Sequence, residues 1–156
     1  MGFHKDALCA LPEEERFFSA IGRFIDEYSQ LETILKLVIA KAIGLKRKHF
    51  DALMTHDFAL TCVLAKTVLA ESVEPKKSKA FETLISDCLK LNEDRVRVVH
   101  GLWLITGKEG GASHVSRNSL KRSSHFQDPY ELAKLAEKAA VLRFNLAQIF
   151  PRRVQT

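Results

Sequence analysis

Residues 92–103 read Asn92-Glu93-Asp94-Arg95-Val96-Arg97-Val98-Val99-His100-Gly101-Leu102-Trp103, and the chain changes its period inside them. Upstream, apolar residues recur at helical steps through Phe81, Leu84, Ile85, Cys88, Leu91 and Val98. Downstream, Leu102, Trp103, Leu104 and Ile105 form a short run of strand-like residues. Gly101 falls between the two patterns, so a helix that restarts at Pro75 is predicted to end near His100. Gly107, Gly110 and Gly111 then mark a turn, and residues 102–127 read as a small β-hairpin or an ordered loop.

The flanking segments are helical. Asp128, Pro129 and Glu131 make a capping arrangement, and Leu132, Leu135, Ala139, Leu142, Leu146 and Ile149 follow as a stripe that Pro151 closes. A first helix of roughly 30 residues is predicted from Pro12, with Glu13, Glu14 and Glu15 at its positive end and Gly44 as its stop. Its apolar positions are read as Ile21, Ile25, Tyr28, Leu35, Ile39 and Ala42, with one member missing at position 32. A basic turn at Lys46–His49 leads to a second helical region, bent near Thr55–Asp57, with Phe58, Cys62, Ala65 and Leu69 on its apolar side. The expected fold class is therefore all-α: an antiparallel bundle of four to five helices with a small β-hairpin between the last two long helices. All 156 residues are expected in one domain, with a core over about 13–150.

Bulk properties narrow the classes. A net charge of +5 fits contact with a polyanion such as RNA and equally fits simple solubility. Cys9, Cys62 and Cys88 are odd in number and far apart, which excludes a disulfide framework and suits a reducing, cytoplasmic setting. His4, Lys5 and Asp6 precede any apolar run, so no signal peptide is read. Lys36 and Lys41 interrupt the apolar stretch from Ile34 to Ile43, and no membrane contact is expected.

Two polar residues, Glu32 and Arg95, break the helical stripes. Glu32 stands at the missing position of the first helix, where a carboxylate needs water or a partner. Either it lies at the stripe's edge and reaches solvent, or it meets an internal cation, for which Arg95 is the candidate. Arg95 follows Leu91 by four and Cys88 by seven, so it shares their face, with Asn92 one turn before it. Arg95 and His100 lie about 140° apart around an ideal helix and roughly 7.5 Å apart along it, so both can border one cleft.

In this setting the segment resembles the signature of the HEPN superfamily of small helical proteins, an arginine followed a few residues later by a histidine, late in a bundle helix. Four residues separate Arg95 from His100 here. The long first helix with its internal acid, the His-Gly-x-Trp step, the glycine-containing hairpin and the final helix agree with that pattern over roughly residues 15–150. The resemblance implies a metal-independent endoribonuclease without cofactors, of a kind often found as toxins or phage-defence components. It also implies a homodimer whose two copies bring the motif to a shared groove, and a cognate antitoxin or other protein partner. Carried over, Arg95 binds the scissile phosphate, His100 assists proton transfer, and Glu32 and Asn92 support them. Many active members carry a polar residue directly after the arginine, and this chain has Val96. The alternative is accordingly a non-catalytic HEPN-like module that binds RNA or a protein partner.

Arg97, Arg117, Lys121 and Arg122 are the candidate contacts for an RNA backbone. His49, His56, His114 and His125 show no metal-ligand spacing and read as surface or loop histidines. No phosphate-binding glycine loop and no nucleophile elbow is present. Trp103 reads as a core anchor for the hairpin.

Overall fold

The computed structural model describes residues 3–55, 57–115 and 120–150. The protein is mostly helical, with a small antiparallel sheet. Among the described residues the α-helices are α1 (Phe3–Cys9), α2 (Glu13–Ala42), α3 (Phe50–Met54), α4 (Phe58–Leu69), α5 (Ser78–His100) and α6 (Pro129–Ile149). Short 3₁₀ turns occupy Arg47–His49, Ala70–Ser72 and Pro75–Lys77. The strands are β1 (Leu102–Thr106), β2 (Glu109–Val115) and β3 (Arg122–His125), in the order β1-β2-β3. None of the described helices is long and apolar enough to cross a membrane.

The helix ends follow from local chemistry. Three glutamates open α2 and Lys41 closes it, matching the helix dipole at both ends. At its C-terminus Leu45 N–H donates to the Ala40 carbonyl at 2.8 Å and Gly44 N–H to the Lys41 carbonyl at 3.2 Å, a Schellman arrangement with Gly44 at φ +64°. The Asp57 carboxylate caps α4 by accepting from Leu60 N–H at 2.9 Å. The predicted bend near Thr55–Asp57 is thus a true break between α3 and α4. The short α1 escapes a periodicity reading, because only Leu8 and His4 of it are identified as buried.

The described residues form two compact units: the chain up to Tyr28 with Glu93–Ala139, and Ser29–Asn92 with the chain from Ala140 onward. Helices α2, α5 and α6 each supply a segment to both. In the second unit, Leu31, Leu35 and Ile39 of α2, Cys62, Ala65 and Leu69 of α4, and Ile85, Cys88 and Leu91 of α5 are fully buried. Each large side chain among them stabilises the fold by about 1.5–3 kcal/mol through burial. Thr61 is also fully buried, and its hydroxyl donates to the Asp57 carbonyl at 2.8 Å, so no polar cost is left there.

The first unit is built on Phe17, Ala20, Phe24 and Tyr28 of α2, packed with Val98, Ala112, Phe126 and Leu132 in its core. Trp103 anchors it. The indole N–H donates to the Val98 carbonyl at 2.8 Å, the ring meets Phe17 edge-on at 6.5 Å, and it stacks on Phe126 at 6.1 Å.

Two expectations change here. The hairpin is a three-stranded sheet: β1 and β2 pair from Leu102↔Ser113 to Thr106↔Glu109, and β3 adds through Ala112↔His125 to Val115↔Arg122. β3 carries Arg-Ser-Ser-His, too polar to announce a strand. The buried line of α2 is also shifted. It runs through Phe17, Ala20, Phe24, Tyr28, Leu31, Leu35 and Ile39, whereas Ile21 and Ile25 are half-buried and Ala42 is exposed. Leu31 therefore fills the place that seemed vacant, and Glu32 stands beside the line.

Candidate functional site

The site is built on the end of α5. Val98 is buried against the core, Arg95 and Arg97 are half-buried, and His100 is exposed on the last turn. Helical phase gives this order, because Arg95 continues the Cys88–Leu91 face while His100 lies well around the cylinder from it. The Arg95 guanidinium sits over the Tyr28 ring, 5.8 Å from its centroid, within cation–π range. Tyr28 is buried and packs edge-on against Phe24. Among the described residues Arg95 makes no ion pair, so an aromatic face holds the cation and leaves its charge unneutralised.

Arg97 differs. It lies 2.8 Å from Asp94 and 3.7 Å from Glu93. Two carboxylates thus stand beside it and offset part of its charge locally.

Gly101 joins helix to sheet through close approach. A Cβ there would stand 2.4 Å from the Arg97 carbonyl oxygen and 3.1 Å from the Ala112 Cβ. Its φ is not in the left-handed region, so steric room, not turn conformation, requires glycine. This contact sets His100 beside the sheet whose inner face carries Trp103, Ala112, His114, Ser123 and His125.

Glu32 pairs with Lys36 at 2.6 Å, and Lys36 is 2% exposed. Lys36, one turn along the same helix, supplies the internal cation that was expected of Arg95. Glu32 and the half-buried Asn92 belong to the second unit, so the site described here is confined to Arg95, His100 and their neighbours in the first. Lys121 and Arg122 are exposed, and Arg122 opposes Val115 at the sheet's end. Arg117 and His56 lie outside the described residues. No group of three or more His, Cys, Asp or Glu residues among the described ones is arranged to hold a metal ion.

Sequence reasoning missed His125. Its Nε2 lies 2.7 Å from the Ser123 hydroxyl, and its ring borders a cleft of about 290 Å³ with Ser124, Phe126, Gln127 and Glu131. Burial pushes the His125 imidazole below its ordinary 6.5, with the positive charges of Arg97 and His114 acting the same way, against smaller opposing effects of Asp94 and Glu131. Phe126 follows at φ +57°, a costly conformation for an aromatic residue, held by the Trp103 stack. A histidine at the end of a short polar strand gives no periodic signal, and only the register Ala112↔His125 brings it to this place.

No family model, curated protein or solved structure matches the chain.

Proposed function

We propose that the protein is a HEPN-like, metal-independent endoribonuclease that acts as a homodimer, in the manner of a toxin or phage-defence component with a cognate antitoxin. The antiparallel bundle belongs to this proposal. The observation that supports it is the presence, within five residues at one helix end, of a guanidinium that makes no ion pair among the described residues and an exposed imidazole.

The chemistry asks little more of the protein. RNA supplies its own nucleophile, so the site must orient, stabilise charge and move protons. The 2′-hydroxyl attacks the adjacent phosphorus and His100 takes its proton. The P–O5′ bond breaks, the 5′-oxygen leaves as a hydroxyl with a proton from water, a 2′,3′-cyclic phosphate remains, and the proton held by His100 returns to solvent. Arg95 offers its fixed fork to the phosphate oxygens throughout. Val99, Leu102 and Leu104 expose apolar side chains around His100, a surface that a second copy would cover.

The test is product chemistry. With chelator present, the protein should leave 2′,3′-cyclic phosphate ends, and a 2′-deoxy sugar at the scissile position should block the cut. Cleavage of that deoxy substrate overturns the mechanism. A second reading, a non-catalytic module that binds RNA or a protein, is favoured by Val96, an apolar residue directly after Arg95. Stable RNA binding with no cut would establish it.

A further inference from the structure

The cleft beside His125 has features that the cleavage motif does not use. Its lining comes from one continuous turn: Ser124 and His125 at the end of β3, Phe126 and Gln127 in the connection, and Glu131 on the first turn of α6. The left-handed Phe126 turns the chain there, and its ring is fixed from one side by Trp103. At about 290 Å³ the space is at the small end for ligand sites, suited to one planar ring system rather than an extended molecule.

The polar groups in it are selective. Glu131 is exposed, and among the described residues its carboxylate makes no hydrogen bond or ion pair. Asp128 alone caps the helix, accepting from Tyr130 N–H at 2.9 Å, so the reciprocal arm expected of Glu131 is not made. An ionised carboxylate only accepts hydrogen bonds. It therefore favours a ring edge with two adjacent N–H donors and repels an edge with a ring-nitrogen acceptor. Among the RNA bases guanine alone has that edge, in N1–H and the N2 amine. Adenine and cytosine place an acceptor beside their amine, and uracil flanks one donor with two acceptors. The half-buried His125 imidazole supplies an aromatic wall against which a single-stranded base can pack.

We propose that this cleft is a guanine subsite, in which Glu131 accepts from the two donors of the base and the ring packs against the His125 imidazole. The proposal rests on the ribonuclease reading and deepens it. Ala112 pairs with His125 in the sheet and lies against Gly101, so the subsite stands beside the end of α5 that bears His100. A base seated there would fix which phosphate meets the motif, so cleavage would fall beside guanine.

The experiment uses the whole chain and reads binding apart from cleavage. Resonances of Ser124–Glu131 are followed by NMR during titration with guanosine and adenosine 5′-monophosphates, then with the uncleavable 2′-deoxy trinucleotides UGU and UAU. The guanine ligand of each pair should bind roughly tenfold more tightly. Glu131→Gln, at an exposed position, should abolish that preference and lower cleavage at guanine sites to the level at adenine sites. Equal binding of both bases, or a preference that survives Glu131→Gln, overturns the subsite even if the protein cuts RNA. Guanine binding by a protein that cuts no RNA supports the subsite and removes the nuclease reading instead. Binding of the guanine mononucleotide without the trinucleotide assigns the cleft to free nucleotides and overturns its role on RNA.

Discussion

The Arg95 guanidinium lies over the Tyr28 ring at 5.8 Å, and Tyr28 is only 2% exposed. A buried aromatic face thereby orients a cation without cancelling it, which a carboxylate would do. The phosphate-binding role proposed for Arg95 depends on that difference.

Replacing Tyr28 by leucine keeps an apolar core residue and removes the face. We expect a stability loss of about 1–3 kcal/mol in urea unfolding. RNA cleavage should fall by roughly 10–100-fold, as misplaced groups typically cost. A destabilised variant that retains full activity would show that the ring does not position Arg95.

Gly101 and Gly22 form a matched pair. A Cβ at Gly101 would stand 2.4 Å from a backbone oxygen, whereas at Gly22 it would meet nothing within 4 Å. Gly101→Ala should therefore cost about 1–3 kcal/mol by overpacking. Gly22→Ala, inside α2, should add roughly 0.4–1 kcal/mol. Denaturant midpoints for the two variants check both signs.

The Glu32–Lys36 pair makes a third prediction. Lys36 is 2% exposed, so Glu32→Gln takes the 2.6 Å carboxylate partner from a buried ammonium. The expected loss is about 1.5–3 kcal/mol, the range for a hydrogen bond to a charged group. Adding Lys36→Met to that variant should recover most of it, because an apolar side chain then fills the site. A double variant as unstable as the single one would contradict this account of the pair.

These residues also show what was legible in the chain. The 30-residue α2, the stripes of α4 and α5, the Asp128 cap and the helix end at His100 are all written in periodicity and caps. The stripe of α2 misled because Ile21 and Ile25 are apolar and near the right phase, while Phe17 and Phe24 are the residues that the core takes. Glu32 then stood at an apparent gap, which left open a stripe-edge residue or a partner for Arg95; its partly exposed side chain beside the buried line agrees with the edge reading. The third strand and the His125 cleft were hidden for a different reason. They arise from sheet register, which sets polar residues distant in sequence side by side.

The lowered pKa of His125 gives a pH dependence. Between the folded value and the ordinary 6.5, the unfolded chain binds the proton that the folded chain refuses. Stability from this residue is thus complete above about pH 6.5 and is lost as pH falls through the folded value. Burial, then Arg97 and His114, hold the value down, and Asp94 and Glu131 oppose them. Thermal melts from pH 8 to 5 should show a decline that flattens in His125→Asn. An equal decline in that variant would assign the effect to other groups.

The most direct measurement is the single-turnover rate of RNA cleavage, in chelator, for the native chain and for Arg95→Ala and His100→Ala. Circular dichroism of each protein verifies that it is folded. The expected result is a loss of roughly 10²–10⁴-fold for His100→Ala, the usual contribution of a proton carrier, and a comparable loss for Arg95→Ala. Cutting by both variants at the native rate would contradict the assignment of the chemistry to this helix end.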